Sequence, residues 1–190
     1  MVVRFGIGAK GEFAPSRWAA FVRQVEDAGF DSLWVADERL YRDVYTMLTQ
    51  AALTSRRLQL GTAVTNPYVR PPALTAAAIA TVDELSGGRT VLGLAAGGSA
   101  TGALGIERRR PVRALREAIT IVRGLTAGQR VELAGEVFTF AGQLDFTPLR
   151  PVPIWLAARG PRLLELGGEI ADGVIIGGFA SAGGLRFAQA

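Results

Sequence analysis

A chain of 190 residues, 49% of them hydrophobic, suffices for one domain with a substantial core and is too apolar for disorder. Its formal charge of +4 comes from twenty Arg and one Lys against 17 acidic residues, and with neither Cys nor His it excludes disulfides, thiolate nucleophiles, His-based triads and zinc sites built on those ligands. No apolar run reaches the ~18 residues of a membrane span, and the opening MVVRFGIGAKGEF lacks a signal peptide's apolar stretch, so a cytoplasmic protein without membrane contact is expected.

Strand-like and helical runs alternate along the chain. Residues 2–7 read as a short apolar strand, and residues 15–28 as a helix with Trp18, Phe21, Val22 and Val25 at helical spacing. Pro15 in the first turn and Gly29 after the last are helix punctuation. A strand over 32–36, a helix over 44–54, a strand over 58–65 and an Ala-rich helix over 72–85 follow, the last stopped by Ser86-Gly87-Gly88. Residues 90–95 form the next strand and 111–125 the next helix. The stretch 131–146 alternates apolar and polar residues about Gly135-Glu136, the pattern of a small inserted hairpin. A strand over 152–158, a helix over 161–170 and a strand over 173–176 complete the series, and 179–190 read as a loop and the start of another helix. Arg108-Arg109-Arg110 is the one dense basic run; flanked by Glu107 and Glu117, it reads as a solvated helix face, and no nucleic-acid partner is expected.

About six βα units with near-continuous apolar strands indicate an α/β fold with a parallel sheet covered by helices. Gly6-Ile7-Gly8-Ala9-Lys10-Gly11 has the G-x-G-x-x-G form, which keeps a nicotinamide dehydrogenase of the doubly wound type open. However, the helix starts only at Pro15, four positions after Gly11, so the third glycine is not where that site needs it. Polar or glycine-rich clusters occur instead at the end of nearly every strand: Gly8, Asp37-Glu38, Thr65-Asn66, Gly97-Gly98-Ser99, Arg159-Gly160 and Gly177-Gly178. A TIM-like (β/α) barrel collects all its strand ends round one mouth, and six decorated ends favour it. Such a barrel has eight units and ~250 residues. The expectation is therefore a single domain over residues 1–190, incomplete at about six of eight units and truncated at its C-terminus, with the hairpin inserted before the fifth strand.

SLWVADE, LGTAVTNPY followed by R-x-P, TAAAIATVDELSGGR, PIWLAARGPRLLELGGEIADG and VIIGG together resemble the luciferase-like flavin and deazaflavin oxidoreductases. Within that group they are most similar to the coenzyme F420-dependent branch of the methylenetetrahydromethanopterin reductase type. The resemblance implies a TIM-like barrel, commonly dimeric, carrying F420 or, alternatively, FMN. It implies a non-prolyl cis peptide at Ala63–Val64, with Thr65 and Asn66 turning backbone and amide groups toward the flat ring. Taken locally, Asn66-Pro67 reads equally as a rigid turn with no ligand. The resemblance further implies cofactor contacts at Asp37 and at Gly97, Gly98 and Ser99, and a phosphate end at Ala158, Arg159, Gly160, Gly177 and Gly178. Asp37 and Glu38, the only carboxylates at a strand tip, are the expected catalytic groups; no metal is expected.

The implied reaction is hydride transfer between F420 and a small organic substrate. An FMN-dependent monooxygenase and a truncated, non-catalytic partner subunit are the alternatives. Relatives that carry carboxylates at the tip of the first strand and in the fourth-strand loop differ from this chain, which has Gly8 and Gly98 there, and Pro71 stands where a His often precedes the next Pro. Proton handling then falls to Glu38, a Tyr or water.

Overall fold

A computed structural model describes residues 3–38, 40–176 and 181–189. In chain order the elements are β1 (Gly6–Lys10), α1 (Pro15–Asp27), β2 (Ser32–Ala36), α2 (Val44–Thr54), β3 (Gln59–Thr62), α3 (Pro72–Ser86), β4 (Thr90–Leu94), α4 (Ser99–Ala103) and α5 (Pro111–Thr126). They continue with β5 (Val131–Ala134), β6 (Thr139–Gly142), β7 (Ile154–Ala158), α6 (Pro161–Ile170), β8 (Gly173–Ile176) and α7 (Ala182–Gln189). Proline opens α1, α3, α5 and α6, where its missing N–H costs nothing.

Six strands form one parallel sheet in the order β1-β2-β3-β4-β7-β8, while β5 and β6 pair antiparallel as a separate hairpin. The hairpin is fastened to α5 by Glu117, whose buried carboxylate accepts the backbone N–H groups of Glu136, Val137 and Phe138 at 2.8–3.0 Å. Glu117, which follows the basic run in sequence, is thus a buried structural carboxylate. The helix-facing side of the sheet holds Leu33, Val35, Leu60, Leu92, Ile154 and Leu156, all fully buried against residues such as Trp18, Leu48, Ile79 and Leu115.

The other side of the sheet is concave. Trp34 on β2 and Trp155 on β7 are separated by two strands, which in a flat sheet would place them roughly 14 Å apart. Their ring centroids lie 5.2 Å apart, so the sheet curls. Trp34 stands in register between Gly8 and Gly61, and Trp155 between Gly93 and Gly173. A Cβ on Gly61 would fall 2.4 Å from the Trp34 ring, so the indoles occupy room that the glycines leave. The curled parallel sheet with helices outside is the expected barrel architecture, in its incomplete form.

Two strands differ from their sequence reading. The first, read over 2–7, runs from Gly6 to Lys10 among the described residues, because it is set by its register with Ser32–Ala36 and not by apolarity; residue 2 lies outside the described residues. Gly8 is thus mid-strand, and Lys10 is the tip. Val3 and Phe5 lie before it and are 65% and 67% exposed. β3 stops at Thr62, and Thr65 rejoins the sheet through a bridge to Leu94. Between Gly61↔Val91 and Thr65↔Leu94 the β3 side carries one extra residue, a bulge. Thr62 replaces the lost ladder bonds: its buried hydroxyl donates to the Gly93 carbonyl at 2.7 Å and accepts the Gly93 N–H at 2.9 Å. A Cβ at Gly93 would stand 2.1 Å from the Thr62 carbonyl oxygen, so only glycine admits this approach. The peptide bond between Ala63 and Val64, inside the bulge, is cis.

Candidate active site

At the C-terminal ends of β2, β3 and β4 the curled sheet opens into a cleft of about 310 Å³. Ala36, Ala63, Val64, Ala95 and Ala100 give it small apolar walls, and Asp37, Glu38, Thr65, Asn66, Ser99 and Arg159 give it polar ones, with Gly97 and Gly98 between.

Each polar group is held by a different element. Asp37 ends β2, and its Oδ2 accepts the Thr65 hydroxyl at 2.6 Å across the bulge. Thr65 is fully buried and anchored on both sides, its N–H donating to the Gly93 carbonyl and its own carbonyl accepting from Ala95. Asn66 uses its side-chain oxygen internally, accepting the N–H groups of Tyr68 and Val69 at 3.1 Å, which leaves its amide nitrogen as the group to offer a ligand. Glu38 is bridged by the Ser99 hydroxyl at 3.1 Å and by Lys10 at 3.4 Å, so the tips of β1 and β2 and the start of α4 meet on one carboxylate.

Sequence reasoning missed two parts of this arrangement. The five residues of α4, Ser-Ala-Thr-Gly-Ala, carry no amphipathic signal and were read as loop. Arg108, exposed as expected, also donates to the Gly97 carbonyl at 3.0 Å and so ties the β4–α4 turn to the approach of α5. Tyr68 donates to the Arg109 carbonyl at 2.9 Å beside it. Burial pushes the Tyr68 pKa above its ordinary value and the Arg108 charge pulls it partly back, so the phenol is neutral at physiological pH. Arg110 and Arg113 do behave as surface residues, both pairing with Glu136.

Of the residues expected here, Asp37, Glu38, Ala63, Val64, Thr65, Asn66, Gly97, Gly98, Ser99 and Arg159 line one cleft. Ala158 is 2% exposed within β7 and lies outside the cleft lining. Gly160 caps α6, accepting from Leu163 and Leu164, and lies outside the cleft wall. Gly177 and Gly178 fall outside the described residues. A Cβ at Gly98 or Gly160 would meet nothing within 4 Å, so backbone there is open to a close ligand. Small apolar walls, a rim of one-ended polar groups and open glycines fit a flat, polar-edged ring.

Residues 2–188 match the family described as luciferase-like monooxygenase. The chain belongs to that family. Among its luciferase-like relatives, the 5,10-methylenetetrahydromethanopterin reductase of Archaeoglobus fulgidus is 45% identical over 92% of this chain and 53% of its own length. An F420-dependent glucose-6-phosphate dehydrogenase of Kineococcus radiotolerans is 35% identical over 91% and 56%. In three dimensions the coenzyme F420-dependent tetrahydromethanopterin reductase of Methanopyrus kandleri superposes with a TM-score of 0.84 at 29% identity, covering 90% of this chain and 55% of that one. An F420-dependent secondary alcohol dehydrogenase, solved with an F420–acetone adduct, gives 0.79 at 25% identity over 92% and 58%. The chain spans about half the length of the curated relatives it matches.

Proposed function

We propose that this chain provides the cofactor cleft of a coenzyme F420-dependent oxidoreductase acting on a small organic substrate. The observation that carries the reading is the convergence of Asp37, the Thr65–Asn66 bulge and Gly97-Gly98 on one cleft at the strand ends. Similarity to F420-dependent enzymes of three activities supports the cofactor. F420 held there would supply the hydride chemistry. The protein's work is to bind, orient and exclude water. Ala63 and Val64 would back the ring, and Asn66 and Asp37 would meet its polar edge. Glu38, held between Ser99 and Lys10, would stand on the substrate side, where a proton must be taken up or released. Arg159, exposed at the start of α6, would meet the phosphate end with the Gly160 backbone.

The same reading treats residues 1–190 as one domain working in the cytoplasm as a homodimer. The outer faces of α2 and α3 support self-association: Leu53, Leu74 and Leu85 are 68%, 57% and 44% exposed there.

Titration of the purified protein with F420 and with FMN, followed by the fluorescence of each, tests the cofactor. Saturable one-to-one F420 binding with FMN at least tenfold weaker is expected. Preference for FMN would transfer the reading to a flavin monooxygenase, and binding of neither would leave a non-catalytic partner subunit.

A further inference from the structure

Two parts of the cleft wall are held from outside by one short segment. The first part is the β3 bulge, where the Asn66 side-chain oxygen accepts the N–H groups of Tyr68 and Val69 at 3.1 Å. The second is the β4–α4 turn at Gly97 and Gly98. Residues 107–110, between α4 and α5, are bonded to both. Tyr68 Oη donates to the Arg109 carbonyl at 2.9 Å, and the Arg108 guanidinium donates to the Gly97 carbonyl at 3.0 Å. The arginine stem also lies against the turn, because a Cβ on Gly97 would stand 3.2 Å from the Arg108 Cδ. Thr101 Oγ1 takes the Gly98 carbonyl at 2.7 Å, so both glycine carbonyls are fixed by side chains that do not line the cleft.

The segment itself is firmly set. The Ile106 N–H donates to the Thr101 carbonyl at 2.8 Å, and the Arg109 N–H to the Glu107 carbonyl at 3.2 Å. Arg110 has φ 47° and ψ 60°, the only positive φ of a non-glycine residue among the described residues. Side chains disfavour this conformation, and a residue keeps it only where its surroundings fix it. Arg110 lies between the Arg109 carbonyl that Tyr68 holds and Pro111, which opens α5, and its own side chain pairs with Glu136 on the hairpin. We infer that residues 107–110 form a strap that sets the spacing of Asn66 against Gly97-Gly98, with Arg108 and Tyr68 as positioning residues for a ligand held between them. The ligand's identity rests on the F420 reading of the cleft; the mechanical coupling of the two wall parts does not.

Amide hydrogen exchange of the ligand-free protein tests the coupling. Tyr68→Phe is expected to speed exchange over residues 97–104 about threefold or more, although Tyr68 is bonded to none of them, and Arg108→Gln is expected to do the same over residues 66–70. Loosening confined to the wall part that each residue touches overturns the strap. F420 titration tests the positioning role. Arg108→Gln is expected to lower affinity about 3- to 10-fold, with Arg108→Lys, which keeps a cationic donor, recovering most of the loss. Arg113→Gln removes the same charge from the neighbouring surface and is expected to stay within about twofold of the parent. An equal loss in Arg113→Gln reduces Arg108 to general charge and rejects the role. Arg108→Gln and Tyr68→Phe combined are expected to lose less than the product of their separate losses, because either one releases the same strap, and strict additivity rejects it. If the parent binds no F420, the cofactor reading falls, while hydrogen exchange still decides the strap.

Discussion

The two ends of the same sheet treat carboxylates in opposite ways. Where the chain enters the strands, four acidic side chains capture backbone. Asp31 accepts the Phe5 N–H ahead of β1, Glu26 the N–H groups of Arg56 and Arg57 ahead of β3, Asp83 that of Thr90 in β4, and Asp172 that of Ile154 in β7. Asp83 also takes the Thr90 hydroxyl at 2.6 Å and Arg150 at 2.8 Å, and Asp172 takes Arg123 at 2.9 Å. Where the strands leave the sheet, among the described residues Asp37 receives the Thr65 hydroxyl, and Ser99 and Lys10 are among the groups that reach Glu38. Entry-side carboxylates hold backbone and so serve the architecture, whereas Asp37 lines the cleft. That division is the one expected when one rim of a barrel holds the fold and the other holds the chemistry.

The sharpest way to break this contrast is Asp83→Ala. It removes a carboxylate that is 1% exposed in its side chain and leaves the Thr90 groups and Arg150 without their partner. A loss of about 3 kcal/mol in unfolding free energy by urea titration is expected, with F420 affinity of the folded protein unchanged. Asp37→Asn is the mirror experiment: a drop of about tenfold in F420 affinity is expected, with stability within about 1 kcal/mol of the parent. If Asp37→Asn destabilised as much as Asp83→Ala, the two rims would not differ in kind.

A smaller effect sharpens the comparison through pH. Burial raises the Glu26 pKa, but the N–H groups of Arg57, Arg56 and Leu58 and the Arg57 charge outweigh it and hold the carboxyl below its usual range. Burial likewise raises Asp172, and its bonds from Arg123 and Ile154 carry it below that range. A folded pKa below the unfolded one means that the unfolded chain binds more protons in between. These contributions are therefore complete above the ordinary carboxylate pKa of about 4 and vanish as pH falls through the folded values. Thermal unfolding between about pH 5 and pH 2 is expected to show a fall in midpoint that is shallower in Glu26→Gln. An identical slope in the variant would remove Glu26 from the account.

Much of this organisation was legible because punctuation is local. Helix starts at Pro15, Pro72, Pro111 and Pro161 were placed correctly from the prolines alone, and the hairpin from its alternation about Gly135. The cleft was legible to the extent that its residues sit in runs at strand ends, as Asp37-Glu38, Thr65-Asn66 and Gly97-Gly98-Ser99 do. What escaped depends on partners far apart in sequence. Arg108 reaches a carbonyl across a turn, Glu117 caps a hairpin about twenty residues on, and Glu26 greets a strand about thirty residues away. The first strand escaped because register, not apolarity, sets its span.

The paired indoles have a use of their own. Of the chain's 3 tryptophans, Trp18 is sealed beneath the helices, whereas Trp34 and Trp155 face each other inside the curl. Trp34 lies only two residues, roughly 7 Å of strand, below Ala36 in the cleft wall. The molecule thus carries a native optical gauge at the base of its mouth: emission from that couple responds to whatever settles above it, with no dye or label attached.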